Sequence, residues 1–158
     1  MKKLIEIAHS FFISVELAIV AVGVVAQLAL TKSIANMLLG VHIPDDLFKW
    51  AIAIPGALLG WSLVSGRKVL FPDKDKANII QKWSDYWRLK IYFHVTLAWN
   101  VVFLMISVYA WLYDWKVPSS SHFIALVVSI LGSSTSSFSL YNAQTRVEEE
   151  MSQYKGVS

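Results

Sequence analysis

Four long apolar blocks, at about residues 4–30, 48–66, 91–113 and 122–143, alternate with short polar stretches along this chain. Each block is close to the ~20 residues that cross a ~30 Å hydrocarbon core as a helix. A helix of a soluble bundle carries polar side chains on its outward face at every turn. Runs such as Leu17 to Ala26 and Val101 to Ile106 have none. The pattern predicts an all-α, polytopic membrane protein, a single domain over residues 1–158 with four transmembrane helices. The first block follows Met1-Lys2-Lys3 as a secretory leader would. It is too long for one, and it offers only a poor small-residue cleavage site near Gln27 to Lys32, so it reads as a retained span.

Composition agrees: of 158 residues, 56% are hydrophobic and 16% charged. Cysteine is absent, which excludes disulfides, thiolate metal ligands and thiol nucleophiles. With the four spans so placed, Lys32, Lys49 and Lys116 are the three cations on one side, and the remaining eleven of the 14 Lys and Arg lie on the other. The cation-rich side is cytoplasmic, giving an N-in/C-in protein of the cell (inner or plasma) membrane. Trp50, Tyr109, Trp111, Tyr113 and Trp115 gather at the outer ends; Trp83, Tyr86, Trp87, Tyr92 and Tyr141 gather at the inner ends. These are the two aromatic belts of a bilayer-spanning protein. The outer connections, "TKSIANMLLGVHIPDD" and "YDWKVPSSS", are too small to form a domain.

Polar residues inside the spans carry the candidate chemistry. On a helical wheel His9, Glu16, Gly23 and Gln27 fall within about 40° of one another, a stripe that should not face lipid. A mid-span carboxylate must be protonated, paired or hydrated. Glu16 lies about 18 Å from Leu4, and Asn100 about 15 Å from Lys90, counted along their helices. Ser133 and Pro55-Gly56 reach a similar level, so a polar belt is expected at mid-height, with Glu16 and Asn100 as partners. The run "GSSTSSFS", residues 132–139, is polar all round and serves either close helix packing or a hydrated lining. Gly56 and Gly60 form a GxxxG pair suited to close helix packing, within this chain or against a second copy.

His9 and His94 lie near the inner ends of two spans, and facing imidazoles in a four-helix bundle can hold b-type haem. His42 and His122 fall on the outer side and are expected to be solvated. Glu6-x-x-His9 is a lone ExxH string without the second copy that a di-metal bundle requires, and there is no HExxH, phosphate loop or nucleophile elbow. The expectation is therefore no enzyme, no metal and no cofactor, with haem as the alternative.

The cytoplasmic segment, residues 67–90, is basic and aromatic. After Pro72, the apolar residues Ile79, Ile80, Trp83, Tyr86 and Trp87 recur at helical spacing, predicting an amphipathic helix that leads into the third span. It either rests on anionic lipid or docks a cytoplasmic protein through Trp83, Tyr86, Trp87 and Arg88, joined by the short tail 144–158. Asp73, Asp75 and Asp85 interrupt the basic patch, so specific nucleic-acid binding is not expected. Two function classes remain. One is a homo-oligomeric membrane sensor or anchor coupled to a cytoplasmic partner, of the kind found in bacterial defence, immunity and envelope-stress systems by analogy of size and topology. The alternative is a pore-forming, ion- or proton-conducting subunit that uses Glu16.

Overall fold

A computed structural model describes residues 14–39, 45–70, 86–112 and 119–155, and all four segments are helical. The helices are α1 (Val15–Leu38), α2 (Asp45–Leu70), α3 (Tyr86–Trp111) and α4 (Ser120–Lys155). Three of them, α1, α3 and the Ser120–Glu149 part of α4, are long and apolar enough to cross a membrane. The protein is thus all-helical and has the character of a membrane protein.

Each helix starts or continues for a local reason. Ser14 takes an extended backbone (φ −110, ψ 152) and its Oγ accepts the N–H of Leu17 at 3.2 Å, so α1 begins at Val15. This helix runs on to Leu38, past the expected end at residue 30, while residues 4–13 of the expected first helix lie outside the described residues. The serine hydroxyl competes for a backbone donor and sets a helix start inside the apolar run, while Thr31 to Leu38, expected as part of an outer loop, continue the helix. Thr31 Oγ1 donates back to the Gln27 carbonyl, which is how a hydroxyl residue is accommodated without ending the helix. In α2, Pro55 lies inside a continuous 26-residue helix and is buried, its missing N–H absorbed without a break.

α4 is the hub. It packs against the three other helices; α2 also packs on α3, whereas α1 is broadly in contact only with α4. Neighbours in sequence therefore alternate in direction, and the contacts show it. The Phe103 ring of α3 lies against Gly132 of α4, and Phe93 of α3 packs with Leu140 of α4, so seven or more residues forward on one helix correspond to a similar number backward on the other. The main apolar core is Ile91, Val95, Trp99 and Phe103 of α3, flanked by Leu17 and Val20 of α1 and Val128 of α4. Trp99 stacks on Phe103 with ring centroids 5.8 Å apart.

Close approach is set at three glycines. A methyl group at Gly66 would overlap the Phe93 ring, one at Gly132 would overlap the Phe103 ring, and one at Gly23 would sit 2.5 Å from Val128 Cγ2. The GxxxG pair does not play this part within the chain. A methyl at Gly56 would meet only Leu104 at an ordinary 3.7 Å, and one at Gly60 would meet nothing within 4 Å. The aromatic rings of α3, not the spacing of α2 glycines, decide where the backbones come together.

Outside the core the surface is apolar, as a lipid-facing surface should be. Leu28 is 81% exposed, Met105 67% and Phe138 63%. Trp50, Tyr109 and Trp111 are exposed at one end of the bundle, and Trp87 and Tyr92 at the other.

Candidate functional site

The polar side chains that lipid would not tolerate converge on one level. Phe103 faces Gly132; one turn back along α3 lies Asn100, and one turn forward along antiparallel α4 lies Ser136, at the same height. Ser136 Oγ donates to Glu16 Oε1 at 3.2 Å, and the adjacent Ser137 shares a 3.0 Å hydrogen bond with Ser62 of α2. Glu16, Ser62, Asn100, Ser136 and Ser137 thus form a polar layer to which all four helices contribute. It lies near the middle of α3 and α4 but at the start of α1: Ser136 is 16 residues from Ser120 and 13 from Glu149, whereas Glu16 stands in the first turn of Val15–Leu38. Every member is buried, Glu16 at 7% exposure and Asn100, Ser62 and Ser136 at 0%.

The polar side chains meet in a layer whose partners differ from those expected. Glu16 and Asn100 share a level but are not hydrogen-bonded. Asn100 Nδ2 donates instead to the Thr96 carbonyl at 3.3 Å, and its Oδ1, though buried, has no hydrogen-bond partner among the described residues. Level was readable by counting residues. Direction around the helix axis was not, because it depends on which helices are neighbours. Pro55-Gly56 also gives way to Ser62 as the contribution of α2. Ser62 and Ser65, both buried, stand in "WSLVSG" three residues apart on one face, a signal that pattern reading passed over in favour of the glycines.

The serine-rich run of α4 divides its labour. Ser133 Oγ donates to the Ile130 carbonyl at 3.1 Å and Thr135 Oγ1 to the Leu131 carbonyl at 2.8 Å, each satisfied on its own helix. Ser136 and Ser137 reach outward to α1 and α2. Ser133 is fully buried but serves packing alone. Among the described residues the layer is a packed seam.

Glu16 is subject to opposing electrostatic effects. Taking a carboxylate into a span costs up to about 3 kcal/mol at the helix centre and less towards a helix end, where Glu16 stands. Its position in the first turn of α1 places it at the positive end of the helix dipole, worth about 0.3–1 kcal/mol. A hydrogen bond to a charged group contributes about 1.5–3 kcal/mol more. The favourable and unfavourable contributions are of similar size, and no described Lys, Arg or His pairs with Glu16 to decide between them.

Gln27, the other polar residue of the stripe, is half-buried and its Nε2 donates to Ser121 Oγ at 2.5 Å, a second polar tie between α1 and α4. His122 is buried, not solvated: its ring stacks on Tyr109 with centroids 5.2 Å apart, because α3 ends beside the first turn of α4 and brings the phenol over the imidazole.

His94 is exposed, with Nδ1 2.6 Å from the Lys90 carbonyl of its own helix, while His9 lies outside the described residues. No group of three His, Cys, Asp or Glu among the described residues is placed to hold a metal ion. Of the docking residues, Tyr86 is half-buried with Lys90 Nζ 4.5 Å from its ring centroid, and Trp87 and Arg88 are exposed in the first turn of α3. Trp83 and the rest of the expected amphipathic helix, up to residue 85, lie outside the described residues.

The sequence matches no family model, and no curated protein or solved structure resembles it closely enough to count as a match.

Proposed function

We propose that the chain is a four-span integral membrane protein of the cell membrane, with α2 as the fourth span and both termini cytoplasmic, working as a homo-oligomeric sensor or anchor for a cytoplasmic protein. The observation that carries this reading is the course of α4. Its 36 residues extend for about 54 Å, well beyond a ~30 Å hydrocarbon core. The same helix that holds Glu16 at Ser136 thus runs without a break into the charged stretch "RVEEEMSQYK". A continuous helix fastened to all three other spans is a physical link from the centre of the bundle to the cytoplasm. The packed polar layer supports this reading over a conducting path through a single bundle.

Exposed Trp87 and Arg88 at the start of α3, with Trp83 and Tyr86, form the proposed docking surface, since large aromatics carry much of the binding energy where they fill pockets. Replacing Trp83 and Trp87 together by alanine is expected to abolish recovery of the cytoplasmic partner with the tagged protein in mild detergent, without loss of membrane insertion. Unchanged recovery would make residues 67–90 a segment resting on lipid. The proposed topology has its own check. Because the chain has no cysteine, single cysteines at Ser84 and Ser119 can be probed with an impermeant thiol reagent in intact cells. Labelling at 119 and protection at 84 is expected; the reverse pattern inverts the protein in the membrane.

A further inference from the structure

α1 packs broadly on α4 alone, and the seam between the two is not filled. Along it runs a cleft of about 380 Å³, walled by Ala18, Val22 and Ala26 of α1 and by Ile124, Val127 and Leu131 of α4. No lining residue carries a polar side chain. The cleft opens sideways onto the surface that faces lipid, since Val22 on one wall is 67% exposed and Leu131 on the other 56%.

Its depth in the bundle is defined. Counted along α4 from the level of Ser136, Leu131 stands about 7 Å away and Phe123 about 20 Å. On α1 the lining starts at Val15, beside Glu16, and reaches Ala26 about 16 Å further on. One leaflet of a ~30 Å core is about 15 Å thick. The cleft therefore spans a single leaflet, the one on the Ser120 side of the polar layer. Near its far end the Gln27–Ser121 hydrogen bond brings polar groups to the seam.

We propose that this cleft binds one acyl chain of a membrane lipid, laid along the α1–α4 seam with its headgroup at the Ser120 end. The walls offer no partner to water or to a polar ligand, and an apolar cavity of this kind stays dry. The size suits a chain. A cavity of ~150 Å³ takes one benzene, and on that scale the cleft has room for about fifteen carbons, the length of an ordinary membrane acyl chain. A further helix fits less well. Membrane helices approach closely through small residues, whereas the α4 wall is Ile124, Val127 and Leu131, whose branched side chains hold a second backbone away. A hydrocarbon chain follows such a wall and gains dispersion contacts on α1 and α4 at once, where a chain against a convex helix surface gains them on one side only. Lipid thus completes the packing that the protein leaves open, and α1 is held to the bundle partly by it. The inference uses the membrane character of the bundle and neither its orientation nor the docking surface, so each can fail without the other.

A phosphatidylcholine with a diazirine halfway along one acyl chain, built into nanodiscs around the full chain, tests this by photolabelling and peptide mapping. The controls are Val25 and Met105, which lie outside the cleft at similar depth and are 62% and 67% exposed. Val22 and Leu131 are expected to be labelled about fivefold more than these two, a ratio within the range of packing preferences measured between membrane helices. Ala18→Phe together with Ala26→Phe puts two rings into the cleft and should bring its labelling down to that of the controls. The wild-type map is a comparison within one protein and is read whether or not that variant assembles. Equal labelling of cleft and control residues in the wild type overturns the proposal, as does cleft labelling that survives the two phenylalanines. Oxidation of Val127→Cys in the bilayer should leave the chain monomeric on a denaturing gel; a disulfide-linked dimer would put a second copy in the cleft in place of lipid.

Discussion

Gly132→Val is expected to destabilise the bundle by about 3 kcal/mol, the upper part of the usual range for overpacking a filled interior. The β-carbon would enter the Phe103 ring, which is fully buried and stacked against Trp99, so the ring has no free rotamer into which to retreat. Gly66→Val, set against the Phe93 ring, should be affected in the same way. The comparison that makes the prediction sharp is Gly60→Val. It adds the same side chain to the same class of residue where nothing lies within 4 Å, and should change stability by no more than about 0.5 kcal/mol. Unfolding of the three variants in bicelles checks all of this. Equal effects at positions 60 and 132 would mean that the bundle is not held by the Phe103 contact.

The second large effect is at the Glu16–Ser136 bond. Removing one partner of a buried hydrogen bond leaves the other unsatisfied, at about 1–3 kcal/mol, and more where the remaining group is charged. Glu16→Leu and Ser136→Ala should therefore each destabilise the protein, while the double variant should be less destabilised than their sum, with a coupling of about 1–2 kcal/mol. The same cycle run with Glu16→Leu and Asn100→Leu should be additive within about 0.5 kcal/mol, since those residues share a level but no bond. Coupling in the second cycle and additivity in the first would mean that Glu16 is turned towards α3, not α4.

These two predictions mark where sequence reasoning reached and where it stopped. Hydropathy found the second, third and fourth helices, the blocks 48–66, 91–113 and 122–143 overlapping α2, α3 and α4, because long apolar runs favour helices. The first it ended too early, since α1 runs on to Leu38. A serine that caps a helix and a serine that bonds back within one look alike in sequence, and only the extended backbone of Ser14 distinguishes them. Glu16 announced that it needed a partner, and residue counting found the right height. Choosing Ser136 over Asn100 required the knowledge that α1 packs on α4, which no periodicity encodes. The glycines teach a similar lesson. Gly56 and Gly60 match a recognised spacing, yet Gly66 and Gly132 make the contacts, because a glycine matters only opposite something large.

Ser136 and Ser137 are adjacent, so their side chains point about 100° apart around the α4 axis, one towards α1 and the other towards α2. Gly132, one turn earlier, must meanwhile face Phe103 on α3. Three neighbours thus read three compass points on a single stretch of one helix. Changing a side chain there perturbs one of these contacts. Adding or deleting a residue between Gly132 and Ser136 would swing everything beyond it through about 100° and break both serine bonds at once. This part of the gene should therefore tolerate spelling changes far better than changes of length.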